Sequence, residues 1–446
     1  MNKTIIIGAN HAGTAAANTI LDNYKDVKLT LFDKNSNISY LGCGTALYVG
    51  KQILETNSLF YSSKEALEDK GATVHMSTTV SEIDFENKKL IAINSEGETI
   101  HESYDNLILA TGSSPIRPAI PGADLEGVHF VKLYQDGLKI DEGLNDPNVK
   151  RVAVIGAGYI GVEIAEAVQL RGKETLLLDR EPQCLNGYYD VEFSQKMDSV
   201  LEQGGIHLHY GENLLEIKSE NGKNVTSIVT SKGEYPVEMV ILSVGFRPNT
   251  EIADGKIELG AGNAFSVNLQ QQTSIPNVYA IGDCATVFNN ASDRKDYIAL
   301  ATNAVRSGIV AGHNVGGTPL ESQGVQGSNG IRIYNYNMFS TGLTLEKAKA
   351  LGFNATFTEF ADLQKPAFMK EDNEEVKIRI VYDSETRHIL GAQLASYQDV
   401  SMGLHVFSLA IAKKFTINEL PLLDIFFMPH FNQPFNYITV AGLIAK

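Results

Sequence analysis

Two glycine-rich turns constrain the fold of this chain more than any other feature. Each turn follows a β-branched run and precedes a stretch with helical spacing: KTIIIGANHAGTAAANTI begins at Lys3, and RVAVIGAGYIGVEIAEAV begins at Arg151. A strand, a tight turn and a helix in this order are typical of a βαβ unit on a parallel sheet. Because the pattern occurs twice in 446 residues, we predict an α/β protein with two Rossmann-like dinucleotide-binding domains.

The second turn has G-x-G-x-x-G spacing, formed by Gly156, Gly158 and Gly161. The first glycine permits the tight turn, the second lets a pyrophosphate approach the backbone, and the third lets helix and strand pack closely. The next strand, LLLDRE, places Asp179 eighteen residues after Gly161, where a carboxylate can accept hydrogen bonds from an adenosine ribose. Since this carboxylate would repel a 2′-phosphate, we expect NADH rather than NADPH, although Arg180 lies beside it.

The first turn is irregular, because Asn10 stands in the place of the second glycine between Gly8 and Gly13. Asp33 nevertheless follows Gly13 by twenty residues at the end of the strand-like run LTLFDK, so the βαβ interpretation holds. An ordinary tight turn that binds nothing is the alternative for either copy. Two turns, each followed by an acid, favour two dinucleotides and hence an enzyme that transfers electrons between nicotinamide and flavin.

Charge and cysteine usage exclude several classes of function. The chain has 37 Lys and Arg against 53 Asp and Glu, a formal net charge of −16, so nucleic-acid binding is not expected. The N-terminal residues leave no room for a signal peptide, and no apolar run is long enough to span a bilayer, so we expect a cytoplasmic protein without membrane contact. The spacing of Cys43, Cys184 and Cys284 fits no disulfide framework and no C-x-x-C pair, and we expect no metal.

Three further segments read as strands that end in glycine turns. They are YDNLILATGSSPIRP, with Ala110 to Gly112 at its tip, MVILSVGFRPNT, with Gly245, and NVYAIGDCATV, with Gly282 and Asp283. Together with the two βαβ turns, and in this order along the chain, these segments resemble the flavoprotein disulfide reductase superfamily. The resemblance covers essentially the whole chain.

A single cysteine narrows the resemblance. Classical members of the superfamily carry a C-x-x-x-x-C dithiol after the second strand of the FAD domain, whereas ISYLGCGTALYVG has Cys43 alone. The chain therefore resembles the single-cysteine branch, which contains NADH peroxidase, water-forming NADH oxidase and coenzyme A disulfide reductase. The segments YLGCGTALYVG, LFYSSKEAL, IALATNAVRSGIVAGHN, GVQGSNGI and FFMPHFNQPFNY are most similar to the water-forming oxidases.

The resemblance implies three domains. Residues 1–117 and 247–323 would form a discontinuous FAD-binding domain, residues 118–246 an NAD(H)-binding domain, and residues 324–446 a C-terminal α+β dimerisation domain. The apolar tail DIFFMPHFNQPFNYITVAGLI suggests an exposed subunit interface of a homodimer, and a C-terminal core segment is an equally good interpretation of its composition.

The resemblance also implies site residues. Cys43 matches the redox cysteine and His11 the active-site histidine. Tyr159 matches a ring that swings away when NADH enters, and Glu163 an acid near the nicotinamide. The positions that match the FAD site are Gly8, Gly13, Asp33, Thr111, Gly112, Gly282, Asp283, Ala301 and Thr302. Those that match the nicotinamide-nucleotide site are Gly156, Gly158, Tyr159, Gly161, Glu163, Asp179, Tyr188 and Gly245. Lys51 is expected beside the flavin, and His430 is given no catalytic role.

The implied reaction consumes two NADH, one O₂ and two protons and gives two NAD⁺ and two waters. NADH would reduce FAD, the flavin would pass electrons to O₂, and the Cys43 thiolate would reduce the resulting peroxide and become a sulfenic acid. We expect the pKa of Cys43 to be lowered by the start of a helix, by His11 and by the electron-poor flavin, and His11 would also supply a proton to the departing oxygen.

Several alternatives stay open on the sequence. NADH peroxidase would use the same Cys43 and His11 but take external H₂O₂, and no single residue separates it from the oxidase. Coenzyme A disulfide reductase would want a basic groove near Cys43, where only Lys51 and Lys64 are close in sequence. A sensor of redox state that binds FAD and NADH without turnover is the candidate from another class. Cys43 could also be a small buried hydrophobic residue.

Overall fold

The structure, a computed structural model, describes residues 2–446. Its α-helices are α1 (His11–Asn23), α2 (Thr45–Val49), α3 (Lys64–Glu68), α4 (Tyr134–Asn145), α5 (Tyr159–Leu170), α6 (Val191–Gln203), α7 (Ala301–Val315), α8 (Leu345–Ala350), α9 (Ser401–Ala412) and α10 (Tyr437–Leu443). Its strands are β1 (Asn2–Ile7), β2 (Val27–Phe32), β3 (Thr73–His75), β4 (Thr78–Asp84), β5 (Lys89–Asn94), β6 (Thr99–Ser103), β7 (Asn106–Leu109), β8 (Ser113–Pro115), β9 (Val128–Phe130), β10 (Arg151–Ile155), β11 (Glu174–Asp179), β12 (Ile206–Tyr210), β13 (Leu214–Lys218), β14 (Ser227–Thr230), β15 (Glu234–Pro236), β16 (Met239–Leu242), β17 (Phe246–Pro248), β18 (Val278–Ala280), β19 (Val287–Asn289), β20 (Arg294–Asp296), β21 (Asn329–Ile333), β22 (Tyr336–Gly342), β23 (Ala355–Leu363), β24 (Glu375–Asp383) and β25 (Ile389–Ser396).

The first glycine-rich turn lies on a parallel sheet with the strand order β18-β7-β1-β2-β3. Side chains of β1 alternate between its two faces, as the pleat of a strand requires. Ile6 packs against α1 and α7, whereas Ile5 and Ile7 pack against the antiparallel sheet β4-β5-β6. The sheet is therefore covered on both faces, which explains why β1 is a continuous apolar run.

Helices α1 and α7 cross closely on one face of this sheet. Gly308 and Gly312 of α7 lie one turn apart, and an added Cβ on Gly312 would lie 2.8 Å from the Cβ of Thr19 in α1. Small residues at such a crossing let two backbones approach, and the Gly308 position meets the carbonyl of Ala12 in the same way. The N-termini of both helices consequently reach the same cavity.

The second glycine-rich turn lies on another parallel sheet, with the strand order β12-β11-β10-β16-β9. Val154 of β10 packs against α5 and α6, and Ile155 packs against the antiparallel sheet β13-β14-β15. The two units therefore share one three-layer architecture, as the repeated sequence pattern predicted.

The C-terminal part contains an antiparallel sheet with the strand order β21-β22-β25-β24-β23, on which α9 and α10 pack. Strands β24 and β25 form an antiparallel hairpin, and α9 is an apolar helix. Strand β25 is buried along its whole length, because α9 packs on one face and the second unit, through Asp190, contacts the other. The predicted fold class, α/β with two Rossmann-like domains and a C-terminal α+β domain, is confirmed.

The apolar C-terminal tail is exposed in the single chain. Phe426, Phe431 and Phe435 expose 65%, 59% and 73% of their surface, and Met428 is also exposed. Side chains of this size are rarely left exposed together on a monomer. Of the two interpretations of the tail, the structure favours a surface over a core segment.

Candidate active site

One cavity of about 1670 Å³ connects the two glycine-rich turns. A pocket for one drug-sized ligand measures roughly 300–1,000 Å³, so this cavity has room for more than one such molecule. Among the residues that line it are the following predicted site residues: Gly8, His11, Asp33, Cys43, Thr111, Gly112, Gly156, Gly158, Tyr159, Glu163, Asp179, Tyr188, Gly245, Gly282, Asp283, Ala301 and Thr302. Gly13 and Gly161 lie outside the lining, where a Cβ on either would overlap the carbonyl of the preceding turn.

The turn before α5 combines the three glycine roles predicted from its spacing. Gly156 has a φ of +100°, and a Cβ there would lie 2.5 Å from the carbonyl oxygen of Ser243. Gly158 opens onto the cavity, with no protein atom within 4 Å of an added Cβ. No side chain caps the N-terminus of α5, so its free N–H groups can meet an anion from the cavity.

The turn before α1 has the same form with one difference. Gly8 has a φ of +110°, and a Cβ there would overlap the carbonyl of Ala110 on the neighbouring strand end. Asn10, at the second-glycine position, is exposed at the cavity and does not cap α1 with its side chain. The N-terminus of α7, at Ala301, also reaches the cavity without a side-chain cap. Each of these helix ends can therefore attract negative charge.

The two acids that follow the turns tie each βαβ unit together. Asp33 accepts the backbone N–H of Ala9 at 2.6 Å, and Asp179 accepts that of Ala157 at 2.5 Å. Each carboxylate thus fixes its own glycine turn, and the Oδ2 atom that accepts this bond keeps a second lone pair for a ribose hydroxyl. Burial raises the pKa of Asp33 despite these hydrogen bonds.

A charged cluster lies where β18 ends. Lys132 donates to Asp283 and to the Ser113 hydroxyl, both at 2.9 Å, and Ser113 donates to Asp283 at 2.8 Å. Burial alone would raise the pKa of Asp283, but Lys132 and Ser113 outweigh burial and hold this pKa below its usual value. The Lys132 ammonium also lies 4.6 Å from the centre of the Phe246 ring.

The lysine that was predicted to lie beside the flavin, Lys51, is not in the cavity. It pairs with Asp141 at 2.7 Å instead. Lys51 lies two residues after α2 with a left-handed φ of 58°. That prediction is wrong. Lys132, two residues after β9, lines the cavity and acts on the pKa of Cys43, and Lys34 and Lys347 also line the cavity.

Cys43 sits in a short 3₁₀ turn, Gly42–Gly44, immediately before α2. Its side chain is exposed towards the cavity, whereas Cys184 and Cys284 are buried. A Cβ on Gly44 would overlap a terminal methyl group of Leu59, so any larger residue would force that side chain to shift. Of the alternatives considered for Cys43, a small buried hydrophobic residue is therefore wrong.

The direction of the Cys43 pKa also differs from the prediction. Burial raises this pKa, the nearby carboxylates of Glu163 and Asp283 raise it further, and Lys132 opposes them. We expected a lowered pKa from the helix start, from His11 and from the flavin, and the raised pKa is the effect of the protein groups alone. The helix is only five residues long and begins after a 3₁₀ turn, so its dipole is weak at the sulfur.

His11 is the first residue of α1, and Tyr61 holds it. The Nδ1 atom lies 2.9 Å from the Tyr61 hydroxyl, and the two rings stack with their centres 5.6 Å apart. Burial lowers the pKa of His11, although Asp283 partly opposes this, and burial raises the pKa of Tyr61 to about 12. At neutral pH both groups are therefore uncharged. When Tyr61 donates to Nδ1, the imidazole carries its proton on Nε2.

Tyr159, Tyr188 and Glu163 line the cavity beside α5, and the buried Tyr189 contacts Tyr159. The Tyr159 and Tyr189 hydroxyls lie 2.7 Å apart, and the Tyr188 ring meets the Tyr159 ring edge-on at 4.9 Å. Burial, with a smaller contribution from Glu166, raises the pKa of Glu163 to about 7. Tyr188, which could have been a surface aromatic, lines the cavity although 45% of its surface is exposed.

Sequence reasoning missed three residues of this site. Tyr61 and Asn329 lie inside segments that carried the resemblance, LFYSSKEAL and GVQGSNGI, but nothing in those segments marked them individually. Lys132 stands in HFVKLY, where no spacing or composition signal points to it. Each of the three is more than 40 residues from its partner in the chain.

The described part of the chain holds neither a cluster of metal ligands nor a membrane-spanning helix. Within residues 2–446, no group of three or more His, Cys, Asp and Glu side chains is arranged to hold a metal ion. The same residues contain no helix with the length and apolar character needed to cross a membrane.

Comparisons with known proteins agree with this geometry. Residues 2–308 match the pyridine nucleotide-disulphide oxidoreductase family, and residues 332–437 match the dimerisation domain of that family. The chain is 55% identical to an NADH oxidase of Streptococcus pyogenes and 54% identical to one of Lactococcus lactis, in each case over 100% of both chains. The solved structure of the water-forming NADH oxidase of Lactobacillus brevis bound to NADH superposes with a TM-score of 0.96 at 36% identity, covering 99% of this chain and 98% of that one. With two parallel-sheet units sharing one cavity and a match over most of its length, this chain is an oxidoreductase that belongs to the pyridine nucleotide-disulphide oxidoreductase family.

Proposed function

We propose that this protein is an FAD-dependent NADH oxidase that reduces one O₂ to two waters with two NADH, using Cys43 as its redox centre. The observation that carries the proposal is a single cavity-exposed cysteine between two dinucleotide-type turns. The full-length relatives named NADH oxidase and the water-forming oxidase of Lactobacillus brevis support it. The domain limits predicted from the sequence, 1–117 with 247–323, 118–246 and 324–446, are part of the same proposal.

The residues of the first unit fit FAD. The open N-termini of α1 and α7 offer N–H groups to a pyrophosphate, and Asp33 and Asp283 offer carboxylate oxygens to hydroxyl groups. The Tyr297 hydroxyl, buried beside Asp283, lacks a well-formed hydrogen bond within residues 2–446. When bound, FAD would accept hydride from NADH and give electrons to O₂.

The residues of the second unit fit NADH. Gly158 leaves space for a pyrophosphate, and Asp179 can accept hydrogen bonds from an adenosine ribose while repelling a 2′-phosphate. Arg180 is exposed and pairs with Glu181 at 3.4 Å, so it is partly neutralised. These contacts support NADH as the preferred substrate.

Cys43 and His11 would complete the reduction to water. The Cys43 sulfur attacks one oxygen of H₂O₂, an S–O bond forms, the O–O bond breaks, and the departing hydroxide takes a proton to become water. The proton lost by the thiol balances the proton taken up by the leaving hydroxide, so the net products are one water and a sulfenic acid. The Nε2–H of His11 is suited to donate to the departing oxygen. Two electrons from a second NADH then return the sulfenic acid to the thiol with release of the second water.

The C-terminal domain would form a homodimer through its exposed tail. Residues 332–437 match a dimerisation domain, and the large apolar side chains Phe426, Phe431 and Phe435 lie exposed within this part of the chain. A monodisperse monomer in light scattering on the FAD-loaded protein would contradict this part of the proposal.

The first experiment is the ratio of NADH consumed to O₂ consumed in air-saturated buffer, with free H₂O₂ assayed in parallel. A ratio of about two with almost no peroxide is expected, because four electrons are needed to reduce O₂ to water. Negligible O₂ uptake, with rapid NADH oxidation only after H₂O₂ is added, would identify an NADH peroxidase instead. One stoichiometric flavin reduction followed by arrest would favour a sensor.

Replacing the redox thiol tests the role of Cys43 itself. In Cys43→Ser, flavin reduction by NADH should persist, the NADH to O₂ ratio should fall towards one, and H₂O₂ should accumulate, since no thiol reduces it. Cys184→Ala is the matched control, because it removes a buried thiol outside the cavity and should leave water as the product. Unchanged four-electron reduction in Cys43→Ser would remove Cys43 from the mechanism.

A further inference from the structure

The loop that carries Tyr188 and Tyr189 is fastened to the C-terminal sheet. Ser340 of β22 donates to the carbonyl of Tyr188 at 3.0 Å. Gln393 of β25 makes two hydrogen bonds with the next residue, Asp190, at 2.8 and 2.9 Å. The C-terminal domain therefore fixes the position of this loop, although the loop belongs to the second glycine-turn unit.

Tyr159 is held differently, through its hydroxyl. This hydroxyl hydrogen-bonds with the Tyr189 hydroxyl at 2.7 Å and donates to the Oδ1 atom of Asn329, at the start of β21. The Asn329 amide is oriented for this role, because its Nδ2 group donates to the carbonyl of Gly327 at 2.7 Å and so directs Oδ1 towards Tyr159. Burial raises the pKa of Tyr159 well above its usual value, which keeps the hydroxyl a donor.

The Tyr159 ring lies on the path that a dinucleotide must follow. Tyr159 is the first residue of α5, directly after the Gly158 opening, and it lines the same cavity as Glu163 and Cys43. A dinucleotide with its adenosine at Asp179 and its phosphates at the turn would extend past this ring towards Cys43. A ring held here narrows that path, and the bond to Asn329 holds it in place.

We propose that Asn329 is a positioning residue of the C-terminal domain that locks Tyr159 across the nicotinamide end of the cavity, so that NADH binds only when this hydrogen bond breaks. This inference rests on the proposed function, since it takes NADH as the ligand. The lock couples the C-terminal domain to the affinity for NADH without any contact between Asn329 and Cys43.

The lock makes a directional prediction. A ligand that binds the open state is weakened by whatever stabilises the closed state, so removing the lock should tighten binding. Asn329→Leu keeps the volume of the side chain and removes the acceptor. The dissociation constant for NADH should fall roughly 2- to 10-fold, the range that one net hydrogen bond provides.

The experiment uses FAD-loaded protein mixed rapidly with NADH under anaerobic conditions. The dependence of the flavin bleaching rate on NADH concentration gives the dissociation constant and the limiting rate separately. ADP-ribose, which lacks the nicotinamide ring, is tested as a competitor, and its inhibition constant should not change in Asn329→Leu. Asn337→Leu is the matched control, because this buried amide of the same hairpin bonds within the C-terminal domain at Ser396 and should leave both constants unchanged.

A second variant removes the donor of the same hydrogen bond instead of its acceptor. Tyr159→Phe removes the hydroxyl and should lower the dissociation constant for NADH as Asn329→Leu does, with no further gain in the double variant. An unchanged or raised dissociation constant in folded Asn329→Leu would overturn the lock, and so would an equal gain for NADH and ADP-ribose. If wild-type protein is not reduced by NADH at all, the proposed function fails, which is a different result from a normal wild type with an unaltered variant.

Discussion

Gly158→Ala should change ligand binding but not folding at the turn that we propose for the nicotinamide nucleotide. Gly158 has φ −75° and ψ −173°, which alanine adopts without strain. No protein atom lies within 4 Å of the added Cβ, so nothing in the fold must move. We expect unchanged or slightly increased stability, by about 0.4–1 kcal/mol, because alanine restricts the unfolded chain.

The effect on NADH should be large, because the new methyl group occupies the space into which Gly158 opens. A pyrophosphate oxygen hydrogen-bonded to the N–H groups of this turn lies about 2.9 Å from their nitrogens, and a Cβ beside them would displace it by roughly 1 Å. Loss of one or two charge-assisted hydrogen bonds, at about 1.5–3 kcal/mol each, corresponds to a loss of affinity of about 100-fold. FAD retention should not change, since its turn lies at Gly8.

Two measurements test this prediction: the dissociation constant for NADH from anaerobic flavin reduction, and the unfolding midpoint of the FAD-loaded protein. Gly161→Ala is the matched control, since its Cβ would overlap the Gly156 carbonyl and lie 2.7 Å from the Ser243 hydroxyl. That variant should lose several degrees of midpoint together with NADH affinity. Wild-type NADH affinity in Gly158→Ala, or a fall in its midpoint, would refute the assignment of this turn.

Two further predictions concern the charges around Cys43. Because the pKa of Glu163 rises from 4.5 to about 7 on folding, the folded state binds more protons between these values and stability falls as pH rises through them, by about 3 kcal/mol in total. Glu163→Gln should flatten this dependence in thermal unfolding at pH 5 and pH 8, and identical pH profiles would contradict it. Lys132→Met leaves the half-buried Asp283 carboxylate without its cation and with Ser113 as its remaining donor, so we expect a loss of about 1.5–3 kcal/mol and slower alkylation of Cys43 as its pKa rises. Partial recovery of the midpoint in Lys132→Met with Asp283→Asn is the check, and full stability of the single variant would rule out the pairing.

The parts of the fold that could be predicted are those set by local patterns. A β-branched run, a glycine turn and a helical stretch lie within about 30 residues, and their periodicity determines both the element type and the buried face. Gly156 and Gly8 could be assigned because a positive φ and a close carbonyl follow from one short turn. The exposure of the C-terminal tail could not be predicted, because composition alone does not say which side of a segment meets a partner.

The residues that hold the side chains proposed to be catalytic were predicted least well, because contacts far apart in the chain select them. Lys132 and Asp283 are separated by 151 residues, and Tyr159 and Asn329 by 170. Proximity in sequence was misleading for Lys51, since Asp141 offers it a partner from another helix. The prediction therefore chose Lys51, which is close to Cys43 in sequence, and missed Lys132, which the fold places in the cavity.

The pKa of Cys43 shows why local reasoning fails even where the residue itself is identified correctly. The prediction used a helix start, a histidine and the flavin, all of which favour the thiolate. In the folded chain, burial raises the pKa of the thiol most, Glu163 and Asp283, 120 and 240 residues away, raise it further, and the positive charge of Lys132 opposes them only in part. Since Glu163 has a pKa of about 7, its protonation near neutral pH relieves part of this repulsion. The readiness of Cys43 to ionise therefore depends on the protonation state of Glu163, and the alkylation rate of Cys43 in Glu163→Gln should exceed that of wild type most clearly above pH 7.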